Sequence, residues 1–166
     1  MYFGKKIIIN NNLDVAQAYH DLAEKDYNSA NILCKYGMFN ESAYLYIQSM
    51  EKYVKEQICY KVDSTNKGFA KLIRETGHSL DNSLELLIKI YCGNDINAKK
   101  QIEDIFLKKI LKDSKFQILN NSLRYPNFSL KHNNYTICVI SRNDCEILKK
   151  MTDLLKVALN DLYKIK

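Results

Sequence analysis

Hydrophobic residues recur at helical spacing in two long segments near the start of the chain. The first segment runs from about Asp14 to Tyr36, and the second from about Asn40, a potential N-cap, to Val62. Their predicted inward positions are Val15, Ala18, Leu22, Ala30 and Leu33 in the first, and Ala43, Ile47, Met50, Val54 and Ile58 in the second. A spacing of three or four residues is typical of one face of an α-helix. Gly37 suits the left-handed residue after a helix, so we expect an antiparallel hairpin.

The middle of the chain predicts further helices, which end before a proline. A short helix is expected over 69–74, a long one over 80–91, and another that begins near Asn97. The inward positions of this last helix are Ile102, Ile105, Phe106 and Ile110. Pro126 stops the helical pattern because proline lacks a backbone donor and restricts the residue before it.

The end of the chain predicts an extended segment followed by a closing helix. Residues 135–141 have the composition of a strand, and we expect them to pair with an N-terminal strand within residues 1–12. Asn143 and Glu146 are the predicted capping box of the last helix. Its predicted inner face consists of Ile147, Met151, Leu154, Ala158 and Leu162. The pattern predicts one all-α domain over 1–166, an up-and-down bundle of four to five helices with a small two-stranded extended embellishment.

Composition narrows the class of protein further. One proline and five glycines favour long helices over a β-sandwich, and no apolar run reaches the length of a signal-peptide core or a membrane span. The five cysteines have no metal-ligand spacing, which predicts reduced thiols, a cytoplasmic location, no metal and no cofactor. The formal charge of +6 is compatible with an RNA or nucleotide partner.

The residues of the first hairpin resemble those of the HEPN family of helical domains. The similar positions, in order, are Asp26, Tyr27, Ala30, Leu33, Gly37, Phe39, Ala43, Gln48, Ser49, Glu51, Lys52 and Lys55. His78, Ser79 and Leu80 resemble the family's His-x-Leu, and Arg124, Tyr125 and Pro126 resemble its Arg-Tyr-Pro. The resemblance covers roughly 26–126. Glu56 departs from it, because the family usually has a small residue there.

This resemblance implies a helical bundle that forms a homodimer. Family members either cleave RNA as toxins and defence nucleases or bind nucleotides or RNA without cleaving them. Many members act beside a small nucleotidyltransferase, so a nucleotidyltransferase or an antitoxin is an implied partner, in a toxin–antitoxin or defence setting.

The ribonuclease motif of the nuclease members is not matched. Those members have an arginine, four to six intervening residues and then a histidine. Three residues separate Arg74 from His78, seven separate Arg124 from His132, and no histidine follows Arg142. The pair Arg124 and His132 is therefore the nearest catalytic candidate, in which the arginine would bind phosphate and the histidine would transfer a proton.

Several cationic and aromatic residues are candidate contacts for nucleotide or RNA. Arg124 and Tyr125 would offer a guanidinium and a stacking ring. Lys52 and Lys55 share one face of the second helix with Gln48, where Glu51 and Lys55 also form a solvent-exposed i, i+4 pair. Lys108, Lys112 and Lys115 form a basic stripe on the fourth long helix. Each set also has an ordinary explanation, in helix capping, core packing or a solvated surface.

Tyr46, Tyr53 and Tyr60 repeat every seven residues along the second helix. Aromatic residues at this spacing suit a subunit interface, and packing within the monomer is the competing explanation. Three functions remain open: a non-catalytic nucleotide- or RNA-binding module, a diverged metal-independent endoribonuclease, and a protein-interaction domain. The unmatched ribonuclease motif disfavours the endoribonuclease. The excess of basic residues favours the nucleotide- or RNA-binding module over the protein-interaction domain.

Overall fold

The computed structural model describes residues 4–164, apart from the side chain of Tyr163. Within that range lie seven α-helices, one π-helical segment, one two-stranded antiparallel sheet and a final 3-10 turn at Leu162–Lys164. The helices are α1 (Asn12–Lys35), α2 (Phe39–Lys61), α3 (Lys67–Glu75), α4 (Leu80–Cys92), α5 (Ile96–Glu103), α6 (Phe116–Arg124) and α7 (Arg142–Asn160). The π-helical segment is Asp104–Ile110, and the strands are β1 (Asn127–Ser129) and β2 (Asn134–Thr136). The predicted all-α class with a small extended embellishment is confirmed.

Helices α1 and α2 form the predicted antiparallel hairpin and approach each other closely. Ala16, Ala23 and Ala30 repeat every seven residues on α1 and are completely buried. Ser42 and Ser49 of α2 donate hydrogen bonds across the interface to the carbonyls of Ala30 and Ala23, at 2.8 and 2.9 Å. These bonds require a small side chain on α1. The buried stripe is therefore the alanine stripe, and the prediction that Leu22 points inward is wrong.

Helix α2 is the centre of the core and contacts α1, α4, α6 and α7. Its five predicted inward residues are all buried, so that prediction is confirmed. Tyr46 and Tyr53 are also buried, with 1% and 2% of their surface exposed, while Tyr60 is 46% exposed. Because α1 and α7 cover the first two rings within the monomer, the prediction that all three tyrosines form a dimer interface is wrong for Tyr46 and Tyr53.

The start of α2 differs from the prediction in a way that fixes a distant segment. The helix begins at Phe39, and Asn40 does not cap it. Instead, the Asn40 side chain donates to the carbonyl of Cys138 and accepts from the amide of Ile140, both at 2.8 Å. Asn40 thus holds the extended segment that leads into α7 against the first hairpin.

The predicted basic stripe on the fourth long helix does not form. That helix is divided into α5, the π-helical segment and α6. Lys112 and Asp113 lie between the last two and have left-handed φ angles of 54°. Lys115 is the N-cap residue of α6. Lys108, Lys112 and Lys115 therefore belong to a π-helical segment, a turn and a cap, and not to one helical face.

The extended segment after Pro126 pairs locally. Strands β1 and β2 are antiparallel, with Phe128 opposite Tyr135, and the described N-terminal residues 4–11 form no strand. The prediction of pairing with the N-terminus is wrong, because a short turn closes at a smaller entropic cost than a link across the chain. Residues 1–3, part of the predicted N-terminal strand, lie outside the described residues.

Helix α7 closes the bundle with a different capping box and a different buried face from those predicted. Ser141 is the N-cap residue, and its box partner is Asp144 in place of the predicted Asn143 and Glu146. The helix carries two apolar stripes, and the buried one contains Cys145, Leu148, Met151, Leu155 and Leu159. Ile147 and Leu154, predicted to be inward, are exposed because this other stripe faces α2.

The five cysteines are free thiols, and burial raises the pKa of Cys145 to about 11. Over residues 4–164 no helix is both long enough and apolar enough to cross a membrane.

Candidate functional site

One face of α2 buries polar residues in addition to its apolar stripe. Tyr44, Gln48, Glu51 and Lys55 are spaced by four, three and four residues and so share one side of the helix. Gln48, Glu51 and Lys55 are 6%, 2% and 6% exposed. Burial of polar groups is costly unless they are hydrogen-bonded or bind a ligand, so this face requires an explanation.

Two other elements meet this face. Helix α6 contributes Asn120 and Arg124, which are one helical turn apart, and the turn between α3 and α4 contributes Gly77 and His78. The Asn120 side-chain amide donates to the carbonyl of His78 at 3.4 Å. We call the combined set the polar seam: Tyr44, Gln48, Glu51, Lys55, Gly77, His78, Asn120 and Arg124.

The centre of the polar seam is a buried ion pair. The Lys55 ammonium donates to Glu51 Oε1 at 2.7 Å and to the carbonyl of Gly77 at 2.6 Å. His78 Nδ1 lies 3.9 Å from the same Glu51 oxygen, while most of the His78 side chain is exposed. The prediction of a solvent-exposed Glu51–Lys55 pair is therefore wrong, because the turn at Gly77 covers it.

Three buried polar atoms of the polar seam lack a partner. They are Gln48 Nε2, Glu51 Oε2 and Asn120 Oδ1, and no other buried side-chain nitrogen or oxygen in the described chain is unpaired. Such atoms are rare in folded proteins and each costs stability. Their concentration in one place marks the polar seam as the part of the described chain whose buried polar groups the protein itself does not satisfy.

The outer end of the polar seam is a stack of one guanidinium and two rings. The Arg124 guanidinium carbon lies 5.9 Å from the centre of the Tyr44 ring and 5.1 Å from that of Tyr125. Arg124 Nη2 also donates to the Tyr125 hydroxyl at 3.2 Å. Tyr125 is 57% exposed. The arrangement presents a planar cation and an aromatic face to solvent, which is how proteins stack unpaired bases.

The other predicted contacts lie elsewhere. Lys52 forms an ion pair with Asp26 of α1, away from the polar seam. Lys108 pairs with Asp104 at 3.4 Å on the π-helical segment. His132 lies in the turn between β1 and β2, where its amide donates to the carbonyl of Ser129 at 3.2 Å.

The structure shows no direct contact between the described side chains of Arg124 and His132, the predicted catalytic alternative. That pairing therefore stays a hypothesis.

A larger cavity of about 670 Å³ lies between α4, α5 and the start of α6. Its apolar floor includes Ile88, Leu107 and Leu111. The charged lining consists of four carboxylates (Asp81, Glu85, Glu103 and Asp113) and three lysines (Lys89, Lys99 and Lys115). Because these charges nearly balance, the cavity does not favour an anion, although the predicted contact Lys115 lies in it.

Among the described residues no group of three or more His, Cys, Asp or Glu side chains is placed to hold a metal ion. No model of a protein family, no curated protein and no solved structure matches this chain.

Sequence reasoning found Arg124, Tyr125 and Lys55 but missed two of the unpaired groups, those of Glu51 and Asn120, as parts of the site. A signal for Glu51 was present, because the polar residues of α2 recur at helical spacing beside its apolar stripe. Asn120 precedes Arg124 by one turn of α6. No pattern in the sequence shows that α6 lies against α2 at this position.

Proposed function

We propose that this protein is a HEPN-like module that binds nucleotides or single-stranded RNA at the polar seam without cleaving them. The observation that carries the proposal is the Arg124 guanidinium over the rings of Tyr44 and Tyr125, at the edge of a face with three unpaired buried polar atoms. The HEPN resemblance, which includes Gln48, Glu51, Lys55 and Arg124 of this site, is a further argument for it.

The chemistry of the polar seam matches the parts of a nucleotide. An exposed ring and a guanidinium stack on any base. The amides of Gln48 and Asn120 each leave one polar atom unpaired, and a base edge that reached them would supply the missing partner. The cations of Arg124 and Lys55 attract phosphate, and the net charge of +6 strengthens that attraction at low salt.

Binding of a labelled single-stranded RNA in EDTA at low salt tests the proposal. We expect retardation without cleavage, and we expect Arg124→Ala to weaken binding about tenfold or more, because stacking on one base contributes about 1–3 kcal/mol. Affinity should also fall as salt is added. The measurement is fluorescence anisotropy, with a denaturing gel run in parallel to detect cleavage.

Arg142→Ala is the matched control for this experiment. Arg142 is also an exposed arginine over an aromatic ring, 5.6 Å from the centre of Phe39, but it lies outside the polar seam. Equal losses in the two variants, or no binding by the wild type, would contradict the proposal. RNA cleavage that disappears in Arg124→Ala or His132→Ala would instead identify a diverged ribonuclease.

A further inference from the structure

A cleft of about 320 Å³ adjoins the polar seam at Lys55, Gly77 and His78. Helix α3 contributes Arg74 to its wall, and α1 contributes Tyr19. The cleft therefore lies where α1, α2 and α3 meet, at the opposite end of the α2 face from Tyr44.

The polar lining of this cleft favours a single sign of charge. Arg74, Lys55 and His78 line it, and the Glu51 carboxylate, which lies outside the lining, pairs with Lys55 and leaves the Arg74 cation without a compensating charge. The larger cavity, by contrast, places four carboxylates beside three lysines. An anion is therefore the ligand that the smaller cleft favours.

Lys55 is fixed in position to bind such an anion. Its side chain is 8% exposed, and its ammonium donates to Glu51 and to the carbonyl of Gly77. An ammonium has three N–H groups, so these two acceptors leave one donor. Lys55 also lines the cleft, so an anion bound there would take this third donor and leave the two existing bonds in place.

Tyr19 adds a neutral donor to the same wall. Burial raises the pKa of the Tyr19 phenol, which keeps the hydroxyl protonated. That side chain makes no hydrogen bond to another described residue. A hydroxyl together with the nitrogen groups of Arg74, Lys55 and His78 matches the several oxygens of a phosphate.

The cleft and the Arg124 stack are too far apart for one nucleoside monophosphate. Tyr44 and Lys55 are eleven residues apart on α2, and a rise of about 1.5 Å per residue separates them by roughly 16 Å. A base on the stack and a phosphate in the cleft must then belong to different nucleotides of one strand.

We propose that the cleft lined by Lys55, Arg74 and His78 binds the terminal phosphate of a short single-stranded RNA whose other bases reach the Arg124 stack. This inference rests on the proposed function. A terminal phosphate offers three free oxygens, and an internal phosphodiester offers two. The chemistry is shared by 5′- and 3′-terminal phosphates.

Competition among three otherwise identical four-nucleotide uridine RNAs tests this inference. One carries a 5′-phosphate, one a 3′-phosphate, and one a hydroxyl at both ends, and each displaces the same labelled RNA. We expect one phosphorylated strand to bind about tenfold more tightly than the hydroxyl strand, as charged hydrogen bonds predict. The preferred strand identifies the end that the cleft recognises.

Arg74→Ala should abolish this preference, so that the phosphorylated and hydroxyl strands compete equally for the variant. Arg74 is exposed and its side chain makes no bond to the fold, so we expect the variant to fold, which thermal melting checks. Lys71→Ala is the matched control. Lys71 is an exposed cation one turn earlier on α3 that pairs with Glu75 at 3.7 Å and does not line the cleft.

The outcomes separate the two proposals. Equal competition by all three RNAs, or an equal loss of preference in Lys71→Ala and Arg74→Ala, would overturn the terminal-phosphate site and leave RNA binding standing. Absence of binding by any RNA would overturn the proposed function, and with it this inference.

Discussion

Helix α2 buries polar side chains on two sides, and the two sides are built differently. Toward α1 and α7 lies a polar network of five side chains: His20, Glu24, Tyr53, Glu56 and Lys156. In it His20 Nδ1 lies 3.1 Å from Glu56 Oε2, the Tyr53 hydroxyl donates to Glu24 at 2.6 Å, and Lys156 pairs with Glu24. Toward α6 lies the polar seam, which contains all three unpaired buried atoms of the described residues.

The difference distinguishes a structural use of buried polarity from a functional one. In the polar network each buried polar atom has a partner within the protein, so the network specifies how three helices fit together. In the polar seam the protein leaves donors and acceptors unpaired, which costs stability. Under the proposed function a nucleotide supplies the missing partner. Removal of an unpaired polar group from the polar seam should therefore stabilise the fold, whereas removal of a paired group on either side should destabilise it.

The largest expected effect is on the ion pair of the polar seam. Lys55→Met leaves the Glu51 carboxylate buried without its cation, and we expect the free energy of unfolding to fall by about 3–5 kcal/mol. Lys156→Met in the polar network should cost less than about 1 kcal/mol, because that pair is about one-third exposed. Urea unfolding followed by circular dichroism measures both. Similar losses in the two variants would show that the pairs are equally buried in solution.

The effect of intermediate size is a change in the free energy of unfolding that has opposite signs in the polar seam and in the polar network. Gln48→Met removes an unpaired buried amide, and we expect it to stabilise the fold by about 1–3 kcal/mol while weakening RNA binding. Tyr53→Phe removes a satisfied hydroxyl and should destabilise it by about 0.5–1.5 kcal/mol with RNA binding unchanged. The same unfolding and anisotropy measurements apply. A destabilised Gln48→Met protein would show that this amide is already satisfied.

The smallest expected effect is a pH dependence from the polar network. Burial raises the pKa of the Glu56 carboxyl, while His20 acts in the opposite direction. The folded protein then holds a proton at pH values where the unfolded chain has lost it, so wild-type stability falls as pH rises from the ordinary glutamate pKa to that of Glu56.

Glu56→Gln should remove that fall, so that the stability of the variant relative to wild type increases with pH across this window. Urea unfolding at a series of pH values measures the difference, and Glu24, which Glu56→Gln leaves in place, contributes to the pH dependence of both proteins. A difference that stays constant with pH would show that Glu56 has no raised pKa.

The parts of the fold that follow from local pattern could be predicted. The apolar stripe of α2 and the turn at Gly37, with a φ of 76°, follow from helical spacing and from glycine chemistry. The end of α6 before Pro126 follows from the constraint that proline places on the preceding residue.

The parts that depend on which faces meet could not be predicted. Helices α1 and α7 each offer two apolar stripes, and only the approach of α2 decides between Leu22 and Ala23, or between Leu154 and Leu155. The division of the fourth helix depends on left-handed residues at Lys112 and Asp113, which no glycine signals. The bonds that join the elements of the polar seam link residues 22 and 42 positions apart, so only the three-dimensional structure shows that these residues meet.

The sevenfold spacing of Ala16, Ala23 and Ala30 has a consequence for how this hairpin tolerates changes in length. A seven-residue repeat keeps one seam in register along two supercoiled helices. Lengthening both helices by seven residues would extend the alanine seam with its serine bonds, whereas an insertion of four would rotate larger side chains into it. A change in the length of the hairpin by whole seven-residue repeats therefore keeps the same kind of side chain at the interface, and other changes do not.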